Sequence, residues 1–223
     1  MSEPLLLSEK LYLLSVNPEK GGIITATANA LNYVLLGGLL LELYQNKNVS
    51  FENKRVVILE TKSENELHRF MLEKIGMPAR PLKISRALGK FNFSMKYILN
   101  GVQQNLVDKR MIRMEPKRFL FFKWKKPFLV NKPVVQKMVT EIERQIMNGS
   151  ASDENLILLS FIQPSGLLSR IFKERSKRKI AKKRLKKMMV ENQVSEAVAG
   201  AISAAQVVAA SVGASVAVSA AVH

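Results

Sequence analysis

Residues 25–46 read T-A-T-A-N-A-L-N-Y-V-L-L-G-G-L-L-L-E-L-Y-Q-N, and this stretch decides the fold of the 223-residue chain. It contains one charged residue, Glu42, and its apolar side chains surround a helix axis on every side. A helix that is apolar all round is buried in the middle of a domain. The pair Gly37-Gly38 lets neighbouring helices approach closely, and the polar ends and Glu42 argue against a membrane span. We therefore predict a central buried helix.

The segments on either side of this helix predict a mainly α fold. Helical patterns cover residues 5–14, 63–76, 94–109, 131–149 and 153–162, and the patterns typical of short strands cover residues 49–51, 55–59, 111–114 and 119–124. We place the turn between the last two strands at residues 115–118. The prediction is a single helical domain, residues 1–195, around a buried central helix, with a protruding β-hairpin and a second short strand pair.

The composition favours a binding protein over an enzyme. The chain is 47% apolar and 24% charged, which is too apolar for a disordered protein, and it has no cysteine. Its two histidines, His68 and His223, are too few for a histidine metal cluster or a catalytic triad. We expect His68 at the surface. The sequence predicts no catalytic residue, no metal site and no cofactor.

The net charge of +17 is unevenly distributed. Residues 1–75 carry eight Lys and Arg against nine Asp and Glu, whereas residues 170–187 alone carry eleven basic residues and one glutamate. Such an asymmetry indicates a polyanionic partner, either a membrane surface or a nucleic acid. The absence of cysteine and of a signal peptide favours a cytoplasmic location.

Residues 116–128, P-K-R-F-L-F-F-K-W-K-K-P-F, combine five of the fifteen aromatic residues with five cations. This mixture suits the boundary between water and an anionic apolar phase. The alternative is a ribbon that packs its aromatic side chains onto the helices. Under the membrane interpretation, the residues that insert are Phe119, Leu120, Phe121, Phe122 and Trp124. The residues that contact lipid phosphates are Lys96, Lys117, Arg118, Lys123, Lys125 and Lys126.

The basic run at residues 170–187 is itself amphipathic, because Ala181, Leu185 and Met188 fall on one helical stripe. We predict that its cations form a basic surface that adds attraction to an anionic partner. They are Lys177, Arg178, Lys179, Lys182, Lys183, Arg184, Lys186 and Lys187. Residues 196–223 are rich in Ala, Val and Ser, and we predict a packed or frayed C-terminal helix or tail there in preference to a membrane span.

Several motifs, in order along the chain, resemble the Golgi phosphoprotein 3 family. They are L-L-L-S-E-K-L-Y-L-L-S (5–15), G-G-L-L-L-E-L (37–43) followed by the strand pair, N-L-V-D-K-R-M-I (105–112) leading into the hairpin, and P-F-L (127–129). The basic sequence R-I-F-K-E-R-S-K-R-K-I-A-K-K-R (170–184) and the alanine-rich end resemble bacterial members in particular.

This resemblance implies a helical domain with a hairpin that inserts into the bilayer. Eukaryotic members are adaptors that bind phosphatidylinositol 4-phosphate and retain glycosyltransferases in the Golgi; they are not enzymes. Their lipid pocket uses one tryptophan and three arginines, and the corresponding positions here are Thr27, Leu36, Lys96 and Leu99. Only Lys96 keeps a positive charge, which shifts the expected recognition towards the hairpin and bulk charge.

We therefore expect a cytoplasmic, peripherally membrane-associated adaptor or scaffold, at the cytosolic face of the Golgi only if the source is eukaryotic. The expected partners are anionic membrane lipids, with a membrane-protein client and a second copy of the chain as further candidates. Two alternatives stay open: a soluble homo-oligomeric scaffold assembled through the hairpin, and a non-specific nucleic-acid binder. Nucleic acid ranks lower, because no zinc-finger spacing, RNP-type aromatic motif or recognition-helix unit is visible.

Overall fold

The structure is a computed structural model that describes residues 3–191. The α-helices of this region are α1 (Leu7–Ser15), α2 (Thr25–Ala28), α3 (Leu31–Gln45), α4 (Glu66–Gly76), α5 (Ile84–Gly89), α6 (Met95–Asp108), α7 (Lys132–Asn148), α8 (Asp153–Ile162), α9 (Leu168–Ile171) and α10 (Arg175–Glu191). The strands are β1 (Val49–Glu52), β2 (Arg55–Ile58), β3 (Leu82–Lys83), β4 (Ile112–Phe119) and β5 (Phe122–Leu129). The predicted mainly α class with a hairpin is confirmed.

The predicted central helix is present but is broken near its start. Helix α2 ends at Ala28, and α3 begins at Leu31 after a turn in which the N–H of Ala30 donates to the carbonyl of Thr27 over 3.1 Å. The leucine side chains of α3 are buried on all sides, and α1, α4, α5 and α6 all contact this helix. The helix that is apolar all round is therefore the centre of the core.

Gly38 allows α1 to pack directly against the backbone of α3. A Cβ atom at Gly38 would lie 3.1 Å from Ser8 Cα and 3.2 Å from Leu11 Cδ1. These distances are shorter than ordinary van der Waals contacts, so a larger residue would push the two helices apart. Leu11 and the three residues after it in α1 are fully buried. Gly38 thus acts as a packing device, as the sequence indicates.

Glu42 joins three helices through buried hydrogen bonds. Its Oε1 accepts from the N–H of Ser8 at the start of α1 (2.6 Å), and its Oε2 lies 2.7 Å from Nε2 of His68 in α4. The expectation that His68 lies at the surface is wrong, since its side chain is buried. On α4 it shares the apolar face with Met71 and Leu72, and its polar partner is distant in the sequence.

The second strand pair is a small three-stranded sheet in the order β1-β2-β3. Strands β1 and β2 form a hairpin in which Glu52 pairs with Arg55 across Asn53 and Lys54, both with positive φ, as two-residue hairpin turns require. Strand β3 adds antiparallel to β2. With two residues, β3 is too short to leave a periodic pattern in the sequence.

Helix boundaries follow the capping residues. Asn131 caps α7 by accepting from the N–H of Val134, and Gly149 ends that helix with a φ of 70°, as the sequence predicts. Helix α4 begins at Glu66, later than predicted. Its capping residue is Asn65, whose side chain accepts from the N–H of His68. The predicted tail at residues 196–223 lies outside the described residues.

Candidate functional site

The long hairpin formed by β4 and β5 projects from the helical body. Phe119 pairs with Phe122, so the chain turns at Leu120 and Phe121. The predicted turn at residues 115–118 is wrong, because Pro116 lies within the ladder opposite Lys125. In a two-stranded ribbon, one edge of each strand has no partner strand. A proline is tolerated where its backbone nitrogen faces this edge, because an N–H there would form no hydrogen bond between the strands.

The tip of the hairpin is apolar and exposed. Phe121 is 91% exposed, Phe119, Leu120 and Phe122 are each about two-thirds exposed or more, and Trp124 is 48% exposed. The alternative in which these aromatic side chains pack onto the helices is therefore wrong. Leu120 also has a φ of 51°, a region in which a bulky side chain is rare. All five residues predicted to insert into a membrane lie together at this tip or just below it.

The base of the hairpin is fixed to the body. The N–H of Gly22 donates to the carbonyl of Pro127 over 2.7 Å. Gly21, with a φ of 65°, lies so close to the ring of Phe128 that a Cβ atom there would be 2.6 Å from it. Leu129 at the end of β5 belongs to the core. A rigid base and an exposed tip allow the hairpin to present apolar side chains at a distance from the domain.

A groove of about 970 Å³ lies between the hairpin and one face of α6. It contains five of the six predicted headgroup residues: Lys96, Lys117, Arg118, Lys123 and Lys125. Trp124 and Met114 form part of the hairpin wall, and the α6 wall is formed by Leu99, Asn100, Gln103, Gln104 and Val107. The sixth residue, Lys126, lines a smaller cavity of about 380 Å³ together with Gly22 and Ile23.

Most cations of the groove are free to receive an anion. Lys96, Lys123 and Lys125 form no ion pair with any residue between positions 3 and 191. Lys117 differs, since its Nζ donates to Glu115 Oε2 over 3.0 Å. Hydrogen bonds from Lys117 and Arg113 hold the pKa of the Glu115 carboxyl below its usual value. Glu115 therefore stays ionised and offsets part of the positive charge beside the groove.

Of the four pocket positions implied by the family resemblance, two line the groove and two do not. Lys96 and Leu99 line the groove, one helical turn apart on α6. Thr27 is buried and donates its hydroxyl to the carbonyl of Ile24, and Leu36 is buried within α3. The groove is thus formed by α6 and the hairpin without the first two positions.

The other predicted basic residues lie on α10, which packs against α7, α8 and α9 through Ala181, Leu185 and Met188. They do not line the groove at the hairpin. Lys177 pairs with Glu174 over 3.0 Å. Arg178, Lys179 and Lys182 line a separate pocket, whereas Lys183, Arg184, Lys186 and Lys187 do not.

Two features of the site were not predicted from the sequence: the polar wall of α6 and the ion pairs of Glu115. Asn100, Gln103 and Gln104 follow Lys96 at helical spacing, on the side opposite the buried Ile98, Val102 and Leu106. That spacing was a usable signal. Glu115 gave no such signal, because its contacts depend on where the hairpin turns.

The arrangement defines a class of protein: a helical domain whose projecting hairpin has an exposed apolar tip above a basic groove. A family model described as Golgi phosphoprotein 3 (GPP34) matches residues 7–205, and the chain belongs to this family. Comparison with curated proteins gave no significant match. Between residues 3 and 191, no helix combines the length and apolarity needed to cross a bilayer, and no group of potential metal ligands is found in that region.

Proposed function

We propose that the protein binds the surface of an anionic membrane, with the hairpin tip inserted among the lipids and a phosphorylated headgroup in the basic groove. The single observation that carries the proposal is the position of five exposed apolar side chains directly beyond a groove lined by five cations. An exposed apolar patch of this kind marks an interaction surface. Lysine and arginine next to it supply electrostatic attraction to anionic lipids.

A monophosphorylated inositol lipid is the proposed headgroup. The groove has room for an inositol phosphate, since ligand pockets of this size typically hold small organic molecules. Lys96 supplies a cation from α6, and the amide of Asn100 supplies donors and an acceptor suited to ring hydroxyls. Membership of the family supports this assignment. Of the four pocket positions of the family, only Lys96 keeps a positive charge. We therefore expect the total positive charge of the protein to contribute more to membrane affinity than recognition of one headgroup does.

The role that follows is that of an adaptor or scaffold at the cytoplasmic side of a membrane, without catalysis. Among the described residues, the side chains lining the groove include no carboxylate, histidine or hydroxyl. General acid-base catalysis most often uses such groups, so the lining supports binding. A membrane-protein client would then be recruited by the body of the domain while the hairpin holds it at the bilayer.

Trp124 fluorescence tests membrane binding directly, because Trp124 is the chain's single tryptophan and lies next to the tip. We expect a blue shift when the protein is mixed with vesicles containing phosphatidylserine or phosphatidylinositol 4-phosphate. The double variant Phe121→Asp/Phe122→Asp should abolish the shift, since it places two carboxylates where apolar side chains would insert.

The matched control is Leu59→Asp/Met77→Asp, which makes the same chemical change at two exposed apolar residues outside the hairpin. This control should keep the blue shift. No shift with vesicles, together with a concentration-dependent shift in buffer, would indicate self-assembly through the hairpin. Binding to single-stranded or duplex nucleic acid that persists in the Phe121→Asp/Phe122→Asp variant would indicate a nucleic-acid binder. Either result would refute the proposal.

A further inference from the structure

A second basic pocket lies at the N-terminal half of α10, and we call it the α10 pocket. It has a volume of about 790 Å³. Its lining residues are Ala26, Gln163, Pro164, Gly166, Leu168, Ser169, Arg175, Arg178, Lys179 and Lys182. Helix α10 forms one wall, the segment between α8 and α9 forms the other together with the first residues of α9, and Ala26 of α2 closes one side. None of these residues lines the groove at the hairpin.

The charge of the α10 pocket is entirely positive. Among the described residues, its lining includes four cations and no carboxylate. Arg175, Arg178, Lys179 and Lys182 form no ion pair with any residue in the described part of the chain. The acidic residue of this segment, Glu174, is paired with Lys177 outside the pocket. Within residues 3–190, no carboxylate therefore compensates the positive charge of this pocket.

The four cations lie on one stripe of α10, at spacings of three and four residues. Arg175 with Lys179, and Arg178 with Lys182, are like-charge pairs one turn apart, and such pairs destabilise a helix. An anion bound between them would remove this repulsion. The repulsion between these four cations therefore favours the binding of a negatively charged ligand.

Arg178 is held in position at the junction of α9 and α10. Its Nη1 donates to the carbonyls of Phe172 (3.0 Å) and Lys173 (2.6 Å). The guanidinium is thereby oriented, while Nε and Nη2 make no hydrogen bond to any residue between positions 3 and 191. An arginine with its plane fixed and three N–H donors unused is suited to bind phosphate oxygens.

The other wall of the pocket indicates what the anion is attached to. Ala26, Pro164 and Leu168 offer apolar surface, while Gln163 and Ser169 offer hydrogen-bonding groups. The hydroxyl of Ser169 donates to the carbonyl of Gly166 over 3.0 Å, so its oxygen is oriented to accept from a ligand hydroxyl. The volume is larger than inorganic phosphate needs and falls in the range of small-molecule sites.

We infer that the α10 pocket binds a phosphate monoester on a small hydroxylated skeleton, either free in solution or as the headgroup of a lipid. The phosphate lies against Arg175, Arg178, Lys179 and Lys182, and the skeleton lies against Leu168 and Ser169. This site is separate from the hairpin groove, and its existence does not depend on membrane insertion by the hairpin.

Titration calorimetry of the full chain with glycerol 3-phosphate tests the site, with glycerol as the unphosphorylated control. The test variant is Lys179→Gln/Lys182→Gln, which changes two exposed pocket lysines and spares Arg178, whose bonds support the fold. The control variant is Lys183→Gln/Lys186→Gln, which removes the same charge from exposed positions of α10 outside the pocket. We expect the test variant to weaken binding by about tenfold or more and the control variant by less than about twofold.

Vesicle flotation distinguishes the two sources of the phosphate. Vesicles containing phosphatidic acid, which presents a phosphate monoester, are compared with vesicles containing phosphatidylserine. A loss of phosphatidic acid preference in the test variant but not in the control identifies a lipid headgroup. Unchanged flotation together with weakened glycerol 3-phosphate binding identifies a free phosphate monoester.

The inference is overturned if the wild type binds neither glycerol 3-phosphate nor phosphatidic acid, or if both double variants weaken binding equally in both arms. Equal weakening would mean that only the bulk charge of α10 matters. Failure of the hairpin proposal is recognised separately, because it is measured by Trp124 fluorescence and by variants at Phe121 and Phe122.

Discussion

At the scale of single residues, the burial of His68 differs from the prediction, because its hydrogen-bond partner Glu42 is distant in the sequence. His68 and Glu42 are both polar and both buried, and Nε2 of His68 is hydrogen-bonded to Oε2 of Glu42 across two helices. Removing one partner from such a pair leaves a buried polar group without compensation, which is more costly than never having had the pair. Neither position could be assigned from its local sequence, because the partner of each lies on another helix.

Tyr12 is a residue whose burial has a measurable consequence at alkaline pH. It is fully buried in α1, and its hydroxyl oxygen accepts from Gln103 Nε2 over 2.8 Å. Burial raises the pKa of Tyr12 to about 12. Because the folded pKa lies above the ordinary value near 10, the unfolded chain ionises first, and stability falls as the pH rises from 10 towards 12.

The variant Tyr12→Phe should lose less stability than the wild type between pH 9 and pH 11, by about 1 kcal/mol. Urea unfolding at the two pH values, followed by circular dichroism, measures the difference. Tyr33→Phe serves as the control for removing a tyrosine hydroxyl, since Tyr33 is partly exposed. An equal alkaline loss in Tyr12→Phe and the wild type would contradict the raised pKa.

At the scale of elements, the central helix was predicted correctly from its sequence pattern, whereas the turn of the hairpin was not. Helix α3 was recognised by its leucines, since an all-round apolar helix has one stable place, the core. The hairpin was predicted as an element, but its turn was predicted at residues 115–118, which lie within β4. In a two-stranded ribbon the position of the turn depends on which residues pair across the strands, and here Phe119 pairs with Phe122.

Glu115 is the residue of the hairpin that should weaken membrane attraction. Its carboxylate accepts from Lys117 Nζ over 3.0 Å and from Arg113 Nη2 over 2.8 Å, and all three residues lie on β4. Glu115→Gln should raise partitioning onto phosphatidylserine vesicles about two- to fivefold, since one charge near an anionic surface contributes up to about 1 kcal/mol.

Vesicle co-sedimentation at low salt measures this effect, and Glu73→Gln on α4 is the control with the same charge change at an exposed position. Raising the salt concentration should reduce the difference between Glu115→Gln and the wild type. A similar gain in both variants would mean that net charge, and not the hairpin, controls the attraction.

At the scale of the whole molecule, α1 and α3 form the core on which the other elements of the site pack. Glu42 adds α4 to this pair, α6 packs on the same core, and the face of α6 that remains outside forms one wall of the groove. The base of the hairpin is fixed against Gly21 and Gly22. The groove therefore exists because two elements that are adjacent in the chain, α6 and the hairpin, are both anchored to one core.

Gly38→Ala tests this close packing. The added methyl group would meet the Ser8 backbone at 3.1 Å, so we expect a loss of about 1–3 kcal/mol in the free energy of unfolding. Gly89→Ala is the matched control, because a Cβ atom there meets nothing within 4 Å. Gly89→Ala should be neutral or slightly stabilising. Urea unfolding compares the two, and equal stability of both variants would show that α1 can move away from α3 without cost.

The sequence by itself determined the elements whose signal is local or periodic: the central helix, the helix faces, the caps at Asn131 and Gly149, and the concentration of aromatic and basic residues at residues 116–128. These features depend on residue type and spacing along one segment. Only the tertiary structure decided the turn at Leu120 and Phe121, the burial of His68, the groove on α6 and the separate pocket on α10. Each of these depends on contacts between segments that are distant in sequence, or on strand register, and a single segment contains no information about either.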